Sequence, residues 1–182
     1  MNPSFIIAAA TWQNFYMLVG AAAATLIGLM FVAVTFGSSL VTVQNSESST
    51  AERRAFLDPT LTHFVQVLVT ACLITIPTMG STLLGGLLMA IGVLRVAALF
   101  RVHRHMKAAQ ESHNDIELSD WMSGIVGPFI AHVLLLGVGI AFLTGHAALN
   151  VLALVTLIVL LNGIYGAWEL MVWLALTRAR TK

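Results

Sequence analysis

The chain has 182 residues, 58% of them hydrophobic and only 9% charged, with a formal net charge of +1 and a mean hydropathy of +0.90. Soluble domains carry roughly a quarter charged residues, so the composition is that of an integral membrane protein. It leaves no stretch long enough for a separate soluble domain, and neither a nucleotide-binding glycine loop nor a nucleic-acid motif is present. The apolar runs are continuous rather than alternating with period two, which predicts helices and not a barrel. The expected fold is all-α: a polytopic transmembrane helix bundle forming one domain over residues 1–182, with the lipid bilayer as its first partner. The lone Cys72 rules out a disulfide framework or a cysteine metal site. No Lys or Arg precedes the first apolar stretch, so no signal peptide is expected to be cleaved.

A hydrocarbon core of about 30 Å needs about 20 apolar residues per helix. The first span is expected over about residues 15–43, closed by the polar stretch QNSESSTAERR. In LDPT, Asp58 is placed to cap a second helix and Pro59 to occupy its first position, giving a span over about residues 59–77. IPTMGS then breaks the chain, and Ser81 can cap a third span to about residue 101, with helix continuing into the basic tract RVHRHMK. A fourth span is expected over about residues 121–143, capped by Ser119 or Asp120 and kinked at Pro128. After TGHAA, a fifth covers about residues 148–176. Trp12, Trp121, Trp168, Trp173 and Tyr16 read as anchors at the membrane interface.

Basic residues orient the chain. Arg53 and Arg54 fall in the first loop, Arg101, Arg104 and Lys107 in the third, and Arg178, Arg180 and Lys182 in the tail, while the other side has none. The positive-inside rule then favours five spans, with the N-terminus outside and the C-terminus in the cytoplasm.

Each span has a small or polar stripe at steps of three and four. Gly20, Ala24 and Gly28 in the first span, with Gly85 and Gly92 in the third, are candidates for close helix packing. At about 1.5 Å per residue from the cytoplasmic ends, Arg95 and Glu169 lie roughly 9 to 10 Å deep, with Gln66 level and His63 slightly shallower. His132 and Asn162 come out deeper, at roughly 18 to 21 Å. An arginine inside a helix costs about 2.5 to 3.5 kcal/mol on insertion scales, so it is expected to be paired and to face protein. Glu169 is the only acidic residue within a span, and an Arg95–Glu169 ion pair is the expectation. Two roles are open to this layer: a structural clasp, or part of an ion or proton pathway. The polar ladder fades toward the outer half, where threonines such as Thr25, Thr75 and Thr156 remain, so the pattern suits a half-channel or inward-facing pocket.

Other chemistry is poorly served. His63 and His132 as haem ligands would have to lie at matched depth, yet they differ by roughly 12 Å in this arithmetic. His103 and His105, two residues apart on a helix, diverge by about 200° and make a poor metal pair. No nucleophile and base, and no carboxylate dyad, points to an enzyme; His63 near Asp58 reads as capping geometry. No cofactor or metal is expected.

The stretch WQNFYMLVGAAAATLIGLMFVAVTFGSSL resembles the opening of a group of small bacterial multi-pass membrane proteins with no established activity. The likeness covers mainly the first span. It implies a bacterial inner membrane and transfers no functional residue. The expected function is thus an oligomeric ion or proton channel, or a transporter-like protein, with a buried ionic layer near the cytoplasm. The alternative is a noncatalytic scaffold or accessory subunit docking a membrane partner.

Overall fold

The computed structural model describes residues 3–41, 48–77, 79–110, 126–146 and 148–180, and these are helical apart from short connections. In chain order the helices are α1 (Pro3–Val41), α2 (Ser48–Thr75), α3 (Ser81–Gln110), α4 (Gly127–Leu143) and α5 (Leu149–Arg180). Three carry segments long and apolar enough to cross a membrane: Ile7–Thr35, Ser81–Phe100 and Leu149–Val172. The apolar parts of the other two, Thr60–Thr75 and Gly127–Leu143, are shorter.

Two expected helix starts move. Asp58 and Pro59 do not open α2, which begins ten residues earlier at Ser48 and runs through both. The segment Ala51–Leu57 consists largely of good helix formers, and helix propensity there outweighs the hydrogen bond that Pro59 cannot make. At the other boundary, α4 starts at Gly127, and residues 121–125, including Trp121, lie outside the described residues. Pro128 is the second residue of α4, and the Gly124 carbonyl that it would leave free, with the kink expected there, lies outside the described residues.

The α4–α5 connection is tight for a definable reason. The His146 N–H donates to the Ala141 carbonyl at 2.8 Å, and Gly145 N–H to that of Phe142 at 3.2 Å, the paired bonds of a Schellman C-cap. Gly145 takes φ of +85°, a left-handed conformation that glycine adopts without steric penalty.

The helices run alternately up and down. α3 and α4 approach each other closely: a Cβ built on Gly85 would stand 2.9 Å from the Gly139 carbonyl oxygen, and one on Gly139 only 2.6 Å from Met89 Cγ. One turn further along, a Cβ on Gly92 would meet Leu136 at 2.7 Å, and in α1 one on Gly20 would meet Ala71 of α2 at 2.9 Å. Gly20, Gly85 and Gly92 thus pack against neighbours as small residues do in lipid. Ala24 and Gly28 do not: both are exposed, and nothing lies within 4 Å of a Cβ built on Gly28. The buried face of α1 is instead Phe5, Tyr16, Val19, Gly20, Ala23 and Met30, so the small-residue row from Ala24 onward turns away from the bundle as the helix rotates.

Tyr16 belongs to that buried face and is fully covered, a core residue and not an interface anchor. Trp168 is 67% exposed, as an anchor would be. Cys72 is a free thiol on the outer surface of α2. The half of the bundle holding the α2–α3 and α4–α5 connections is filled by Ile74, Leu84, Phe142, Leu149 and Leu152, with Phe5 edge-on to Phe142 at 5.6 Å between ring centres. Its threonines are satisfied within their own helices, Thr75 donating to the Ala71 carbonyl at 3.0 Å and Thr156 to that of Leu152 at 2.8 Å, and Thr25 of α1 does the same with the Ala21 carbonyl at 2.9 Å.

The α3–α4 contact makes a direct prediction. Gly139→Val should overpack it and cost about 1–3 kcal/mol, whereas Gly28→Ala should stay within about 0.5 kcal/mol of wild type. Unfolding of both variants in detergent, followed by circular dichroism, checks this; equal stability of the two would contradict the packing.

Candidate functional site

Polar side chains from four helices meet at the opposite end of the bundle. Antiparallel packing brings the middle of α2 beside the middles of α3 and α5 and the start of α4. The register is set by close contacts. A Cβ on Gly163 would meet the Phe64 ring at 2.7 Å, one on Gly166 would meet Thr60 Oγ1 at 2.5 Å, and one on Gly127 would meet Asn162 Oδ1 at 3.1 Å. Small residues on α5 and α4 thereby let polar groups of the neighbouring helices into the interior.

Gln66, 6% exposed, is the hub. Arg95, half-buried on α3, reaches across to α2, where its Nε–H donates to Gln66 Oε1 at 3.0 Å and Nη2 donates to the backbone carbonyl of Thr62. The two acceptors lie one helical turn apart on α2, so the planar guanidinium spans that turn. From α4, His132, 2% exposed, places Nε2 3.0 Å from the same Gln66 Oε1, while its Nδ1 meets the Pro128 carbonyl oxygen. His63 of α2 adds a second imidazole, its ring centre 6.5 Å from that of His132 and the planes tilted by 31°.

Of the six residues expected to form the layer, the structure joins Arg95, Gln66 and His132 by hydrogen bonds and sets His63 beside them. Asn162 is half-buried against Gly127, with its Nδ2 enclosed and without a hydrogen-bond partner. Glu169 is half-buried on α5. No ion pair joins it to Arg95 among the described residues, whose acceptors are Gln66 and the Thr62 carbonyl. This corrects the expected Arg95–Glu169 pair: neutral oxygens of α2 meet the guanidinium. Charge-assisted bonds to these neutral acceptors engage two of its five N–H donors without cancelling its charge.

The depths expected for His132 and Asn162 are corrected as well. His132 lies level with Gln66, because α4 begins at Gly127 and places it only five residues into the helix. The two histidines expected roughly 12 Å apart in depth are near neighbours. Both ring nitrogens of His132 face oxygens, those of the Pro128 carbonyl and of the Gln66 side chain. Among the described residues no group of three or more His, Cys, Asp or Glu is placed to hold a metal ion.

Two partners escaped the sequence reading: the Thr62 and Pro128 carbonyls. The second had a usable signal, since His132 follows Pro128 by four residues, the spacing of helical neighbours. The chain matches no protein-family model, and comparisons with curated proteins and with solved structures found no match.

A double-mutant cycle tests the wiring. Gln66→Met should cost about 1–3 kcal/mol or more by stranding a buried cation, and should couple to Arg95→Met by about 0.5–3 kcal/mol. The cycle of Arg95→Met with Glu169→Gln should give coupling near zero. Unfolding equilibria in mixed micelles measure both, and the reverse ranking would restore the ion pair.

Proposed function

We propose that the chain is a multi-pass protein of a bacterial inner membrane that handles an ion or a proton at the Arg95–Gln66–His132 cluster, as a channel or transporter-like protein, and that it works as a homo-oligomer. The observation that carries this reading is the half-buried guanidinium held by neutral oxygens, with no carboxylate paired to it among the described residues. A purely structural tie would be cheaper with apolar side chains, whereas ionisable groups inside membrane helices mark ion and proton paths. The apolar filling of the other half of the bundle supports a pocket open toward one side only.

Five crossings, with the N-terminus outside, are part of the same proposal. The helices alternate in direction, and the backbone positions of Arg53, Arg54, Arg101, Arg104, Lys107, Arg178 and Arg180 fall at the end where the polar cluster lies. The positive-inside rule makes that end cytoplasmic.

A second reading has its own support. The outward row Ala21, Ala24, Thr25 and Gly28 on α1 is a small-residue surface of the kind that receives another helix, which suits a scaffold or accessory subunit. Reconstitution into liposomes distinguishes the two. The transport reading expects proton or ion flux that falls to the level of protein-free liposomes in Arg95→Met, with the variant still monodisperse in detergent. Silent liposomes, together with co-purification of a larger membrane complex, would favour the scaffold.

A further inference from the structure

Two groups of fixed hydrogen-bonding character determine how many protons His132 must carry. The Pro128 carbonyl oxygen can only accept, so the Nδ1 that faces it needs a hydrogen. The Arg95 Nε–H can only donate, so Gln66 must present its oxygen there; turning the amide over would set NH2 against N–H. That same oxygen faces His132 Nε2 at 3.0 Å. With a single hydrogen, on Nδ1, the ring would oppose its Nε2 lone pair to the lone pairs of Oε1. With the hydrogen on Nε2, it would oppose Nδ1 to the Pro128 carbonyl in the same way. Only the imidazolium, with both nitrogens protonated, makes both contacts hydrogen bonds.

We infer that His132 is a proton-binding site and that Gln66 reads its occupancy. The proton is the ion the cluster takes, an inference that rests on reading the cluster as a functional site and not a clasp. Proton loss leaves two oxygens competing for one N–H. One of the two contacts then opens; where it is the one to Gln66, whose oxygen Arg95 still holds, release of the proton unties α4 from α2.

The surroundings make the binding reversible. From α3, Arg95 places a positive charge on the oxygen that His132 shares. From α2, His63 stands beside the ring as the adjacent group able to accept or supply a proton. From α5, Glu169 and the exposed Tyr165 lie on the same half of the bundle, and neither is hydrogen-bonded to the imidazole. The titratable side chain that α1 brings is Tyr16, in the opposite half.

The test counts protons on the ring. Full-length protein labelled with 15N-histidine is examined in lipid bilayers by solid-state NMR, with His132→Gln to assign the resonance. At about pH 6, close to where an ordinary histidine titrates, wild type should show two protonated ring nitrogens on His132, and one of them should be lost by about pH 9. Gln66→Leu, which removes the acceptor, should show one at both. Gln66→Glu, which keeps an acceptor and adds negative charge, should show two at both, and it remains informative if the leucine variant does not fold. A singly protonated His132 in wild type at the lower pH, or two protons retained in Gln66→Leu, would overturn the proposal. The readout is independent of flux. A neutral His132 with intact flux overturns the proton site alone, whereas a protonated His132 in silent liposomes supports the site and overturns transport.

Discussion

One oxygen atom carries more of this structure than any other. Gln66 Oε1 accepts from Arg95 on α3 and meets His132 on α4, so three helices are tied at a single point inside the apolar bundle. Each group gathered there would be costly to leave without a partner in hydrocarbon, where no water stands in for one. That cost places the cluster at the end of the bundle where helix starts and small α5 residues open space for it, and it selects partners that no hydrophobic pattern encodes. The remaining packing can then be apolar, as the fully buried Phe64, Leu84, Leu88, Leu135 and Leu152 show.

Much of the helix order was legible. The apolar runs announced five helices, the break at IPTMGS fell between α2 and α3, and the continuation of α3 into its basic tract is present in the backbone. These features rest on long-range hydrophobic content, which a sequence displays directly. The starts of α2 and α4 were less readable, because Asp58–Pro59 is a good local start signal that a helix-forming stretch upstream overrides. An error at a helix start propagates: counting depth from residue 121 placed His132 too deep, and with it the whole relation between His63 and His132.

The partner of Arg95 was hidden for a different reason. Searching a sequence for a counter-charge finds Glu169, since charge is a property of residue type. A backbone carbonyl has no residue type, and a glutamine on another helix is one polar residue among many. Which oxygen a guanidinium reaches is decided by rotation and register, here those of α2 and α3, which turn Gln66 Oε1 and the Thr62 carbonyl toward Arg95. The outward row on α1 illustrates the same limit. Gly20 and Gly28 are both glycines on one stripe, yet one touches Ala71 and the other touches nothing.

The glycine contact between α3 and α4 bears on how the molecule can move. Backbones that interlock at Gly85, Met89 and Gly139 resist sliding, so α3 and α4 behave as a single stiff plank set against α1, α2 and α5. Hydrogen bonds bind that plank to α2 near one end, and an edge-on ring pair, Phe5 against Phe142, joins it to α1 at the other. The pair is thus fastened differently at its two ends, by directional hydrogen bonds to α2 at one and by a non-directional ring contact to α1 at the other.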